Sequence, residues 1–199
     1  SGGSTPRRLF ELLGGELARE FPVEGTRIFW CDERCVPYDH PWSNYGSAFE
    51  LWFGPAGFPA GNLHPVPVEL GPEAAARSYD RLLRERFADG RHSLDLCLLG
   101  MGGDGHVASL FPASDALAEG EKLAVAVRPG GNTKPNVERV TLTIPALAAA
   151  GSRLLLAAGA EKLPVIRAIN DGNPSVKDLP AAILDRMAGI HWLVVDKNA

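Results

Sequence analysis

The chain has 199 residues, a formal charge of −4, and 45% apolar and 22% charged residues, a balance that suits one globular α/β domain. That charge gives no basic surface for nucleic acid, and no stretch nears the roughly 20 apolar residues of a membrane helix. Three cysteines do not make a disulfide framework, so the reading is a reducing, cytoplasmic compartment; Cys31 and Cys35 have no partner pair at zinc spacing, so no metal is expected.

Residues 1–6, Ser-Gly-Gly-Ser-Thr-Pro, read as a glycine-rich turn feeding a helix. Ser4 or Thr5 can cap that helix, and Pro6 suits its first position. Leu9, Phe10, Leu13 and Leu17 recur at helical spacing to about Glu20. A phosphate-type turn of this kind normally follows a strand, so the given chain is expected to lack its N-terminal strand or strands. Residues 26–31 are β-prone and end in the charge cluster Asp32-Glu33-Arg34. Residues 44–53 have helical spacing and carry Phe49, Trp52 and Phe53, all expected in the core. Residues 54–72 are rich in proline and glycine, a loop with one extended piece near 64–68. Pro72 opens a helix to about Phe87, with Tyr79, Leu82 and Leu83 on one face.

Residues 94–112 read Leu-Asp-Leu-Cys-Leu-Leu-Gly-Met-Gly-Gly-Asp-Gly-His-Val-Ala-Ser-Leu-Phe-Pro. Leu96 to Leu99 have the length of a buried strand, and Gly100, Gly102, Gly103 and Gly105 follow. Val107 and Leu110 have helix-like spacing before Pro112. A strand that restarts as a helix after glycines offers backbone N–H groups to an anion. Further strands are expected at 123–127, 139–144, 153–158 and 192–195, with helices from Lys162 to about Asn170 and over 179–187. Residues 128–136 read as the most flexible segment. Strand and helix alternate throughout. The implied fold is α/β, a mostly parallel twisted sheet with helices on both faces and ligands at the strands' carboxyl ends.

Three loops there share one form: residues 1–5, 100–106 and 159–162. His106 is the candidate general base, because imidazole titrates near neutrality; the alternative is a loop histidine bonded to backbone. Asp104 can stabilise the turn or orient His106, and the two roles are compatible. Arg34 is either a surface ion pair with Asp32 or Glu33, or a fork-like grip on phosphate. Lys162 sits at a helix start, where the dipole disfavours a cation unless an anion joins it. His40, His64, His92 and His191 read as surface or packing residues. These residues describe a phosphorylated small molecule beside a proton-transferring histidine. Hydrolysis, isomerisation and deamination remain open.

Residues 94–112 resemble the signature of the 6-phosphogluconolactonase family. Four further segments agree in order: Ser-Gly-Gly-Ser-Thr-Pro; Trp30-Cys-Asp-Glu-Arg-Cys-Val-Pro with Ser43-Asn-Tyr-Gly; Arg139-Val-Thr-Leu-Thr-Ile-Pro; and Gly159-Ala-Glu-Lys. The C-terminal Pro180-Ala-Ala-Ile-Leu and Trp192-Leu-Val-Val-Asp also fit. The resemblance implies a single Rossmann-like domain, a fold shared with glucosamine-6-phosphate deaminases and ribose-5-phosphate isomerases. It implies hydrolysis of a sugar-phosphate lactone without metal or organic cofactor, by a monomer or weak homo-oligomer. His106 would be the base and Asp104 its support. Ser1, Gly2, Gly3, Ser4, Thr5, Arg34 and Lys162 would take the phosphate, and Arg139 would touch substrate. Turn amides near Gly102 and Gly103 are the expected oxyanion donors. The deaminases follow their histidine with Phe-Asn-Glu-Pro, whereas Ser109-Leu110-Phe111-Pro112 here carries no carboxylate. A non-catalytic sugar-phosphate sensor is the alternative from another class.

Overall fold

The structure is a computed structural model that describes residues 2–3, 5–87, 94–130, 133–172 and 174–195. Candidates Ser1 and Ser4, His92, and part of the expected flexible segment lie outside the described residues.

Three sheets organise the chain. Strands β4 (Leu96–Gly100), β7 (Ser152–Ala158) and β8 (Ile190–Val195) pair in parallel, in the order β4-β7-β8. Strand β1 (Ile28–Phe29) pairs in parallel with β3 (Leu63–His64). The third sheet departs from the expected parallel pairing. Strands β2 (Asp32–Arg34), β6 (Arg139–Leu142) and β5 (Ala124–Val127) are antiparallel, in the order β2-β6-β5. Parallel neighbours need a crossover of a dozen residues or more, usually helical. No helix lies in the described part of residues 128–138, which joins β5 to β6, so the chain doubles back.

Helices α1 (Arg7–Gly14), α2 (Asn44–Ala48), α3 (Pro72–Arg86), α4 (Ile144–Ala148), α5 (Leu163–Gly172) and α6 (Ala182–Asp185) fill the connections. Helix α3 packs on β5 and β6. Its Tyr79 hydroxyl donates to the Trp30 carbonyl at 3.1 Å and accepts from the Trp30 N–H at 2.7 Å. That contact pins the end of β1 to the helix. Along β7 every second residue turns inward, so Leu155 is fully buried and Arg153 is 2% exposed. The Arg153 guanidinium donates to the carbonyls of Leu147, Ala148 and Ala150, which the end of α4 leaves open, and to that of Ala188 beyond α6.

Several boundaries differ from the sequence reading. The strand expected over 139–144 ends at Leu142, because the Thr143 hydroxyl accepts from the Ala146 N–H and starts α4. Trp52 and Phe53 are core residues, but Phe49 is 44% exposed and stacks on Tyr45 from outside. A cavity of about 620 Å³ lies among apolar side chains that include Phe10, Phe21, Ile28, Phe29, Leu96 and Leu98. Of the candidate site residues, only Gly2 lines it. Among the described residues, no helix is long and apolar enough to cross a membrane.

Candidate active site

The segment after β4 does not restart as a helix. Residues 101–113 are turns and isolated bridges, Met101 to Val107 and Val107 to Leu110. Gly105, at φ 82°, and Ala108, at φ 50°, reverse the chain where a helix would need negative φ. The expected anion site at a helix N-terminus is therefore absent from this loop. The Gly102 N–H donates to the His106 carbonyl at 2.9 Å, and the Gly105 N–H donates to the Gly102 carbonyl at 3.1 Å. The bridges and these bonds close a compact ring of backbone around Asp104 and His106.

Inside that ring the His106 Nδ1 is 2.6 Å from the Asp104 Oδ1, which also accepts the His106 N–H at 3.1 Å. Burial raises the Asp104 carboxyl, but the hydrogen bond and charge of His106 outweigh it, so the group stays below its ordinary range. With Nδ1 engaged, the imidazole is left with Nε2 for other work. The pair rests directly on Gly102. A Cβ there would lie 2.2 Å from His106 Nδ1 and 2.5 Å from Asp104 Oδ1.

Strands β2 and β6 supply the cations. Arg34 and Arg139 are direct register partners across the antiparallel ladder. Among the described residues neither guanidinium has an ion pair, and each Nε is buried without a hydrogen-bond partner. Arg34 is thus not the surface ion pair that was one sequence reading; its Nη1 donates to the Trp42 carbonyl at 2.9 Å. Burial first, then the charge of Arg34, holds the Arg139 guanidinium below its usual range. Its Cζ lies over the Phe111 ring, 5.1 Å from the centroid, and that ring is 4.8 Å from the His106 ring.

Lys162 comes from the segment after β7. It ends the single turn between β7 and α5, and a Cβ built on Gly103 would lie 4.0 Å from its Nζ. The lysine is thereby beside the histidine loop. Its nearest carboxylate is Glu161 at 3.9 Å, itself well exposed. Gly2 packs instead against the Asn44 side chain, where a Cβ would lie 2.1 Å from Oδ1.

Asp32, Glu33, Asn44 and Ser109 were not singled out as site residues by sequence. Their signal was the charge cluster at the end of a strand, since buried acids must be paired or hydrogen-bonded. Glu33 is fully buried and accepts the backbone N–H groups of Arg34, Asn44 and Tyr45 at 2.7, 2.8 and 2.6 Å, and the Ser43 hydroxyl at 3.3 Å. The carboxylate thus fixes the loop from β2 into α2. Burial pushes its pKa up to about 6, against the opposing effect of those N–H donors. A carboxyl raised on folding binds its proton more tightly in the native state, so this group's contribution to stability falls as pH rises from 4.5 to about 6. The difference in unfolding free energy between wild type and Glu33→Gln is expected to shift by roughly 2 kcal/mol across that window. Urea unfolding at pH 4.5 and 7.5 measures it, and a flat difference would contradict it. Among the described residues no three His, Cys, Asp or Glu groups are placed to hold a metal ion.

Fold and site together define an α/β protein with a histidine–carboxylate pair and three cations set around one loop region. The family model for glucosamine-6-phosphate isomerases/6-phosphogluconolactonase matches residues 1–192, and the chain belongs to that family. It is 37% identical over 198 residues to a 6-phosphogluconolactonase of Synechocystis sp., covering 98% of this chain and 79% of the relative. It is 36% identical over 202 residues to the Rattus norvegicus 6-phosphogluconolactonase, covering 100% and 77%. The solved 6-phosphogluconolactonase of Thermotoga maritima superposes with a TM-score of 0.82 at 35% identity, covering 98% of this chain and 83% of that one. The Trypanosoma cruzi enzyme of the same name gives 0.84 at 29% identity, covering 98% and 80%.

Proposed function

We propose that this chain hydrolyses 6-phospho-D-glucono-1,5-lactone to 6-phospho-D-gluconate, the second step of the oxidative pentose phosphate pathway. The observation that carries the reading is the 2.6 Å contact of His106 Nδ1 with Asp104 Oδ1, set on Gly102 at the carboxyl end of β4. Asp104 holds the proton on Nδ1, and Nε2 takes a proton from water as its oxygen attacks the lactone carbonyl. The carbonyl oxygen gains negative charge. When the ring C–O bond breaks, the imidazolium returns the proton to the departing oxygen. No metal or organic cofactor enters this sequence.

The developing oxyanion needs donors in place. The Gly102 N–H is spent on the His106 carbonyl, which removes one of the two amides expected for that role. The Gly103 amide is the remaining candidate for it. Arg34, Lys162, Arg139 and residues 1–5 are the candidates for the phosphate. The expected result is rapid loss of the phosphorylated lactone and poor reaction of the unphosphorylated one. Equal rates on both would sink the phosphate assignment. Lys162→Ala is expected to raise KM, costing roughly 1.5–3 kcal/mol for a lost charged hydrogen bond. Steady-state kinetics check this, and an unchanged kcat/KM would remove Lys162 from the site.

The rival chemistry within the family, deamination or isomerisation of an amino-sugar phosphate, has less support. The segment after His106 places a buried serine and Phe111 where a second carboxylate would be needed. Release of ammonia from glucosamine 6-phosphate is the observation that would favour it.

A further inference from the structure

Ser109 lies three residues beyond His106 and is fully buried. Its backbone N–H donates to the Thr141 hydroxyl at 3.1 Å, which ties the loop to β6. Its own hydroxyl donates to the Asp32 carboxylate at 2.9 Å and accepts from the Arg139 Nη1 at 3.4 Å. Asp32 is 3% exposed and Arg139 is 2% exposed. A buried carboxylate and a buried guanidinium in one neighbourhood normally pair directly. Here the serine hydroxyl stands between them. Among the described residues the only other acceptor of the Arg139 guanidinium is the Pro135 carbonyl at 2.9 Å.

We propose that Ser109 is a positioning residue: its hydroxyl links buried Asp32 to Arg139 and so sets the guanidinium over Phe111, the ring beside His106. The orientation matters because Nε of Arg139 is buried and unpartnered. An unsatisfied donor of this kind is costly unless something else meets it. A guanidinium turned by even one rotamer presents its fork in a different plane, and bidentate recognition of an anion depends on that plane. Asp32 carries the link back to α2, since its carbonyl accepts the Asn44 Nδ2 at 2.8 Å. Ser109 thus couples three segments: the histidine loop, the β2 end and the β6 arginine.

The inference rests on the lactonase reading, in which Arg139 contacts the substrate. Its test is a cycle of Ser109→Ala, Arg139→Met and the double variant, assayed on phosphorylated and unphosphorylated lactone. The expected result is a KM for the phosphorylated lactone raised about tenfold in Ser109→Ala, with kcat nearly unchanged and no effect on the unphosphorylated lactone. In the Arg139→Met background, Ser109→Ala should add nothing, because its effect runs through the arginine. Ser109→Cys, similar in size and a weaker donor, should fall between wild type and alanine; it also serves if alanine lowers the melting temperature too far to assay. Ser109→Ala kinetics equal to an active wild type would overturn the proposal. So would effects that multiply in the double variant, or a loss equal on both lactones. A wild type inactive on both lactones would instead overturn the lactonase reading beneath it.

Discussion

His106→Asn is expected to lower kcat on the phosphorylated lactone by about 10²–10⁴-fold, the range that a positioned proton acceptor contributes. Asparagine keeps a polar group that can still face Asp104, so the loop should hold. His106 is partly exposed, and the backbone bond from Gly102 to the His106 carbonyl does not depend on the side chain. The melting temperature should therefore move little. A fall in kcat with unchanged melting assigns the loss to chemistry, whereas retained kcat would show that the proton goes elsewhere. Asp104→Asn should give a smaller loss, because it leaves the imidazole in place but removes the charge that orders its tautomer.

The second large effect comes from a residue with no functional side chain. Gly102→Ala places a methyl group within 2.2 Å of His106 Nδ1 and 2.5 Å of Asp104 Oδ1. Neither contact is tolerable, so the pair must shift by an ångström or more. Misplacement on that scale costs about 10²-fold in rate. Stability should drop by roughly 1–3 kcal/mol, the usual range for overpacking. Gly103→Ala is the control one position away: its Cβ meets nothing nearer than the Lys162 Nζ at 4.0 Å. A wild-type rate in Gly102→Ala would mean that the histidine pair is not held as described. An equal loss in both variants would point to general loop disruption.

Much of this site was readable in the sequence, because the Gly-Gly-Asp-Gly-His run sits after a clear apolar strand. The glycine run and the His–Asp spacing located β4 and the histidine loop. The expected helix after it failed because Val107 and Leu110, though at helical spacing, bury their side chains through bridges in a reversing chain. Spacing over four residues does not separate these cases. The parallel-sheet expectation failed at β5 and β6 for a related reason. Alternating strands and loops look alike whether the chain crosses over or doubles back, and only the lack of a helix in the described part of residues 128–138 told them apart.

The polar interior was the least legible part. Asp32-Glu33-Arg34 stood out as charged, but sequence alone could not say that the acids point inward and the arginine meets a carbonyl. Glu33 holds a helix start, Asp32 holds Ser109, and only Arg34 remains for a ligand. Lys162 stood out in the sequence as a cation at a helix start. Its placement beside Gly103 follows from the length of the turn after β7, which no local pattern encodes.

Freshly generated 6-phosphogluconolactone, followed by NMR as it converts to 6-phosphogluconate, should disappear far faster with catalytic amounts of the protein than without it. The same amount of His106→Asn should leave the spontaneous rate nearly unchanged. Decay at the spontaneous rate with folded wild-type protein would contradict the account.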